Sequence, residues 1–244
     1  MKKLGLIGGI GPESTIPYYK KIVFGVQKKS GRKQFPKLTI ESLDVFQILH
    51  YCQQKDYAGL IQYVSEGIHN LAATGCDFAA MTGNTPHIVF DQLQDRSPIP
   101  LISMPVTTCQ AACRAGYKTL GLLGTAVTMQ EDFFKVPFQR AHITMITPDK
   151  TEISYIHHKI SSELELGIIK NDTKAAFLRI IQRLKEENHI DGIVLGCTEL
   201  PLAFQGVQTP VPVLDTMAIH IEALIDMIMG DLPIKPIDKQ GISV

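Results

Sequence analysis

Residues 2–11, KKLGLIGGIG, decide the fold because the chain writes them twice: residues 118–127 read KTLGLLGTAV and set Gly8 against Gly124, 116 residues on. A second pair, CDFAAMTGNT (76–85) and IDGIVLGCTE (190–199), aligns Asp77 with Asp191 and Met81 with Leu195 at an offset of 114. A third, IPLISM (99–104) and VPVLDT (211–216), sets Pro100 against Pro212 at 112. Three echoes in the same order at nearly constant offsets are an internal repeat, and a repeat governs how every motif inside it is read.

Each repeated piece is a short apolar run closed by glycine or a turn former, the pattern of a buried strand entering a loop. Strand candidates are KLGLIG, KLTIES, CDFAAMT, PLISM, TLGLLG, HITMIT, DGIVLG and PVLDT, with amphipathic stretches between them. In DYAGLIQYVSEGIHNLAATG, Tyr57, Leu60, Ile61, Val64, Ile68, Leu71 and Ala72 fall on one helical face that Gly75 ends; Phe177, Ile180, Ile181 and Leu184 do the same behind a capping Asp172 or Thr173. Alternating strands and helices predict an α/β protein with mainly parallel sheets. The repeat predicts two similar lobes, 1–100 plus 213–244 and 101–212, related by an approximate two-fold. Ligands of open parallel sheets bind beyond the carboxyl ends of the strands, so the loops GGIGPEST, TGNTPH, GTAVTM and GCTELP are expected to line a cleft between the lobes.

Composition narrows the function. The 244 residues are 45% hydrophobic and 20% charged, and 24 basic residues balance 24 acidic ones, so a nucleic-acid partner is not expected. No apolar stretch approaches the roughly 20 residues that cross a bilayer, so a membrane is not expected either. The amino-terminal lysines precede an apolar run of only about five residues, which reads as a first strand rather than a secretion signal. Five cysteines without paired spacing suit a reducing compartment, and a cytoplasmic location is expected. Cys109 and Cys113, four apart on a helix, read as two small hydrophobes rather than half a metal site.

Under the repeat, Gly83 stands opposite Cys197. A thiol between a strand end and a helix start meets backbone N–H groups and the positive end of the helix dipole, both of which favour thiolate, and this makes Cys197 the first catalytic candidate. GGIGPEST lacks the third glycine of a dinucleotide loop and the Lys-Ser/Thr of a phosphate loop. With Pro12 suited to a first helical position, Gly9, Ile10 and Gly11 are expected to present N–H groups that can hold a carboxylate, although a plain strand-to-helix turn needs the same glycines. Asn84 and Thr85 are expected to cap the helix that Pro86 begins; Thr125 has the same two readings, cap or ligand contact. His157 and His158 read as a solvated face.

GLIGGIGPESTIPYY, NTPH, LLGTAVTM and LGCTELPL together, across nearly the whole chain, resemble the four landmark segments of the aspartate/glutamate racemases. The resemblance implies a cofactor-independent isomerase, without metal or organic cofactor, that binds a small amino acid or dicarboxylic acid between two α/β lobes and works as a homodimer. It implies Cα proton exchange by two cysteines on opposite faces, Cys197 being one. The other stands before Asn-Thr in the pattern, where this chain has Gly83; some relatives carry Thr, and Thr82 is the neighbouring candidate. Asn84, Thr85, Thr125, Thr198 and Glu199 are implied as substrate contacts beside Gly9, Ile10, Gly11 and Gly83. For a distal group the segment after the second strand offers Gln47, Gln53 and Gln54, with Gln53 the candidate. Gly83 facing a single thiol also fits a related decarboxylase, and a binding module that has lost half its proton machinery is the third reading.

Overall fold

The computed structural model describes residues 1–232, and the chain divides into two units. The first runs from Met1 to Thr107 and resumes at His220; the second is Thr108–Ile219. In chain order the first carries β1 (Leu4–Gly8), α1 (Pro12–Ser30), β2 (Leu38–Ser42), α2 (Val45–Gln54), α3 (Tyr57–Ala73), β3 (Phe78–Met81), a 3-10 turn (Thr85–Val89), α4 (Phe90–Arg96) and β4 (Leu101–Ile102). After α5 (Met104–Arg114), within which the chain passes from one unit to the other, come β5 (Thr119–Leu123), α6 (Ala126–Gln130), α7 (Val136–Arg140), β6 (Thr144–Ile146), α8 (Lys150–Ser162), a 3-10 turn (Leu164–Leu166), α9 (Asn171–Asn188), β7 (Gly192–Leu195), α10 (Leu200–Phe204) and β8 (Val213–Asp215). The chain returns to the first unit within α11 (Thr216–Met229).

Each unit holds one four-stranded sheet, and the two orders match: β2-β1-β3-β4 and β6-β5-β7-β8, with every pairing parallel. The three sequence offsets are registers of these sheets. Leu4 pairs with Phe78 as Leu120 pairs with Gly192, and Ala79 pairs with Leu101 as Ile193 pairs with Val213. The flanking bonds repeat too. Asp77 N–H donates to Lys3 O at 2.8 Å and Asp191 N–H to Thr119 O at 2.7 Å, while Ala79 and Ile193 each donate to the carbonyl of a proline, Pro100 or Pro212, at 2.9 Å.

The central strands β1, β3 and β7 are buried at every position, as parallel strands covered on both faces must be. Asp56 caps α3 by accepting from Gly59 N–H at 2.9 Å, and Leu60, Val64, Ile68 and Leu71 then bury one face, each contributing roughly 1.5–3 kcal/mol. Gly75, at φ 78°, turns the chain away from α3. In α9 the cap differs from expectation. Lys170 occupies the capping position without a side-chain bond, and Thr173, inside the helix, donates to Glu163 Oε2 at 2.6 Å.

The expected lobe boundaries fall just before β4 and β8, yet each of these strands closes the sheet of the preceding segment. The crossings therefore come later, after Thr107 and Ile219, and these two residues are themselves 219 − 107 = 112 apart, the repeat's own third offset. In the first unit, His220 of α11 is wholly buried; it accepts from Tyr18 OH at 2.7 Å and donates through Nε2 to Ile102 O at 3.2 Å. Burial first, then the neighbouring His87, lowers its pKa to about 3, so it is neutral. Among the described residues no helix is long and apolar enough to cross a membrane.

Candidate active site

In the first unit the turn after β1 places Gly9 at φ 72° and Gly11 at φ 76°. At Gly9 space imposes the same choice as conformation, since a Cβ would lie 2.1 Å from Leu43 O. Of the three N–H groups expected to face a ligand, that of Gly9 donates to Thr15 Oγ1 at 2.9 Å. Ser14 Oγ donates to Gly11 O at 2.8 Å. The loop is thus braced from inside by the first turn of α1.

Thr82, after β3, is wholly buried. Its hydroxyl donates to Ile7 O at 3.2 Å and lies 3.3 Å from Thr15 Oγ1, so the side chain ties the ends of β1 and β3 together. This is not the geometry of a base turned toward a substrate, as the resemblance to relatives with Thr had suggested. Gly83 is also buried, and the space beside it is taken: a Cβ there would lie 2.7 Å from Ile10 Cγ2 and 3.1 Å from Ile10 O. Ile10 is itself 8% exposed.

Asn84 is buried but makes no side-chain cap bond, and the segment after it is a 3-10 turn, so the expected helix cap is not formed there. His87 holds the turn instead. Its Nδ1–H donates to Gly83 O at 3.1 Å, its Nε2 accepts from Met104 N–H at 3.1 Å, and its ring stacks on Phe90. Burial brings its pKa down to about 4, which keeps it neutral with both nitrogens committed. The signal for this was in the sequence: a histidine four residues after a loop carbonyl can reach back to it. Thr85 is half-buried.

In the second unit Thr125 caps α6, its Oγ1 accepting from Thr128 N–H at 3.4 Å. Gly196 N–H donates to Leu123 O at 2.7 Å, joining the ends of β7 and β5 as Thr82 N–H joins β3 to β1. Cys197 follows, 8% exposed, and its Sγ–H donates to Glu199 Oε2 at 2.8 Å; Glu199 is equally buried, and Thr198 between them is half-buried.

The thiol differs from the sequence expectation in its resting form. Burial, then the charge of Glu199 and its hydrogen bond, push the Cys197 pKa well above the ordinary thiol range, with a smaller push from Glu165. Cys197 therefore rests protonated, with its proton aimed at a carboxylate. Glu165, which sequence reasoning missed, lies on the 3-10 turn after α8, and its carboxyl is raised by burial and by the Glu199 charge. That turn is anchored by Glu163, which accepts from Thr173 and pairs with Lys159 at 2.6 Å.

Gln53 stands exposed in the last turn of α2, about 13 Å along the helix from its Asp44 cap, and the structure does not group it with the loops. Cys109 is wholly buried, its thiol pushed up to about 12 by burial and by Cys113, as an inert core residue would be. Among the described residues no three His, Cys, Asp or Glu side chains gather as a metal site.

The sequence pattern of the Asp/Glu/Hydantoin racemase family matches residues 7–224. The crystal structure of an Asp/Glu racemase candidate from Yersinia pestis is similar, with 35% identity, a TM-score of 0.86, and 94% of this chain and 100% of that chain covered. So is that of an aspartate racemase homologue from Pyrococcus horikoshii OT3, at 32% identity, TM-score 0.82 and the same coverage. The broad specificity amino-acid racemase RacX of Bacillus subtilis (strain 168) is 22% identical over 218 residues, 88% of this chain and 93% of its own. With the family pattern spanning both sheets and the Cys197 loop, the chain belongs to the Asp/Glu/Hydantoin racemase family.

Proposed function

We propose that the protein is a cofactor-independent amino-acid racemase, an isomerase, in which Cys197 carries a proton to and from the α-carbon of a small amino acid. The observation that supports it most directly is the Cys197 thiol set 2.8 Å from the Glu199 carboxylate at the end of β7, within the family's pattern. A Cα proton is weakly acidic, and its removal needs both a strong base and relief of the charge that develops on the carboxylate. The thiol meets the first need: its proton already points at Glu199, and burial with neighbouring acidic charge makes the sulfur, once deprotonated, a strong base. The hydroxyls of Thr125 and Thr198, on the loops of the same unit as Cys197, meet the second by holding the α-carboxylate. Glu199 serves the sulfur in this scheme, and Thr82 braces a loop.

The five free cysteines suit a reducing, cytoplasmic setting. A homodimer is part of the same reading, supported by the exposed Ile16, Tyr19, Phe24 and Phe35, and sedimentation equilibrium decides it. The test of the activity is exchange of substrate Cα–H with deuterated solvent. Cys197→Ser is expected to lower it by about 100-fold or more, and unchanged exchange in that variant removes Cys197 from the chemistry.

A further inference from the structure

Two glutamates at the 3-10 turn after α8, all within the second unit, have opposite surroundings. Glu163 is buried and fully served, by Lys159 Nζ at 2.6 Å, Lys170 Nζ at 3.2 Å and the Thr173 hydroxyl at 2.6 Å. Glu165 is exposed, and among the described residues it pairs with no Lys, Arg or His. Its charged neighbour is another acid: partial covering, then the like charge of Glu199, raise the Glu165 carboxyl. The turn that carries it is fixed. Leu166 N–H and Ile168 N–H both donate to Glu163 O, at 3.1 and 2.9 Å, and Gly167 N–H donates to Leu164 O at 3.0 Å. Leu164 is 1% exposed in the core that also holds Cys197 and Leu200, and the turn packs on α10, the helix that follows Glu199. The fold of this one unit therefore keeps Glu165, Glu199 and Cys197 together, with Glu165 at the solvent-reachable edge. Like charges held side by side without a counter-ion destabilise a protein, and such a departure is expected where a ligand brings the missing charge. The loops beside them supply no cation, since Thr125 and Thr198 are neutral and Gly124 and Gly196 carry no side chain.

We propose that Glu165, the exposed acid beside Glu199 and Cys197, determines which side chain is accepted, so that the protein acts on amino acids with a cationic side-chain end, such as lysine or ornithine, in preference to dicarboxylic ones. The inference rests on the Cys197 reading above. With the α-carboxylate held by Thr125 and Thr198 and the α-carbon at the sulfur, a terminal ammonium on Glu165 supplies the counter-charge that the two glutamates lack, in a charge-assisted hydrogen bond. A terminal carboxylate would add a third negative charge to them, and that repulsion gives selection against acidic substrates as well as for basic ones. An α-ammonium is common to all amino acids, so a contact of Glu165 with that group would not discriminate between them.

The experiment incubates the full-length protein in D2O with L-lysine, L-ornithine, L-norleucine, L-aspartate and L-glutamate separately and takes kcat/KM from loss of the α-proton signal by NMR. Norleucine is lysine without its terminal ammonium, so the ratio of the two isolates that group. The wild-type protein is expected to favour lysine or ornithine over norleucine by about tenfold or more, the usual worth of a hydrogen bond to a charged group, and norleucine over aspartate and glutamate. Glu165→Gln is expected to lower kcat/KM for the basic amino acids by about tenfold or more while norleucine stays within about threefold. Glu165→Lys is expected to reverse the order, placing glutamate above lysine. Because Glu165 also raises the Cys197 thiol slightly, each variant is judged by its lysine-to-norleucine ratio, in which an effect on the sulfur cancels. A wild-type protein that prefers aspartate or glutamate overturns the inference while leaving the racemase reading intact, and so does a Glu165→Gln ratio equal to that of the wild type. An equal fall with every substrate also overturns it, since Glu165 would then serve the α-ammonium or the turn. Exchange that survives in Cys197→Ser, or is absent with all five amino acids, overturns the racemase reading and the inference together.

Discussion

Cys197 shows how far a loop motif can be read before its neighbours are known. GCTE places a thiol at a strand end, which was legible, but its protonation state depends on how Glu199 folds back onto the sulfur and on Glu165, more than thirty residues earlier in the chain, and neither is written in the motif. Glu199→Gln removes one of the charges that raise the thiol, so its pKa falls, and the alkaline rise in Cys197 alkylation by iodoacetamide, read from the mass of its peptide, is expected to move to lower pH; a rise that stays in place or moves upward refutes the electrostatic account. Gly83 makes the same point from the other side. The absent side chain was plain in the sequence, whereas the filling of its space by Ile10 depends on the path of a turn more than seventy residues away. Gly83→Cys alone is therefore expected to destabilise the protein by about 1–3 kcal/mol in urea unfolding, the usual cost of overpacking, and an unchanged midpoint would show that Ile10 yields freely.

At the scale of elements, all eight strand candidates are strands, and the repeat carried the register of the sheets as well as their existence. The reason is physical: a parallel strand covered on both faces must be apolar throughout, and such runs stand out between amphipathic helices. Helix starts were less legible because Asp, Asn and Thr have other partners to choose. Thr173 went to Glu163, and Asn84 entered a 3-10 turn. The repeated aspartates show what a side chain does when the strand edge offers it donors. Asp191 Oδ2 accepts from Lys118 N–H at 2.8 Å and Thr119 N–H at 2.9 Å, while Asp77 Oδ2 accepts from Lys3 N–H at 2.6 Å. Those two bonds hold the Asp191 carboxyl below its usual range. Asp191→Ala is expected to cost about 1.5–3 kcal/mol in urea unfolding and more than Asp77→Ala, since it removes two main-chain contacts rather than one. Equal losses would show that the second bond contributes nothing.

For the whole molecule the sequence disclosed two like units but not what fastens the first one internally. His87 and His220 are both buried and neutral, which the fold alone shows. Their folded pKa values, about 4 and about 3, lie below the ordinary 6.5, so the native state holds fewer protons than the unfolded chain between those limits. The resulting stability is complete above pH 6.5 and is lost as pH falls, with a slope of about 1.4 kcal/mol per pH unit for each histidine. Urea unfolding is expected to show the protein about 2–3 kcal/mol less stable at pH 5.5 than at pH 7.5, and equal stability at both would mean that the two rings are not held neutral.

The hydrogen bond from Tyr18 to His220 spans 202 residues of chain, and residues 108–219 of the second unit lie between its ends in the sequence. A ribosome therefore releases every residue of 108–219 before it releases the histidine that Tyr18 awaits. The segment made first is the last to be completed, and until then the nascent amino-terminal sheet lacks the helix that seals Tyr18 and Ile102. Truncation anywhere before His220 would leave that sheet open, with its apolar strands exposed to chaperones or to other unfinished chains.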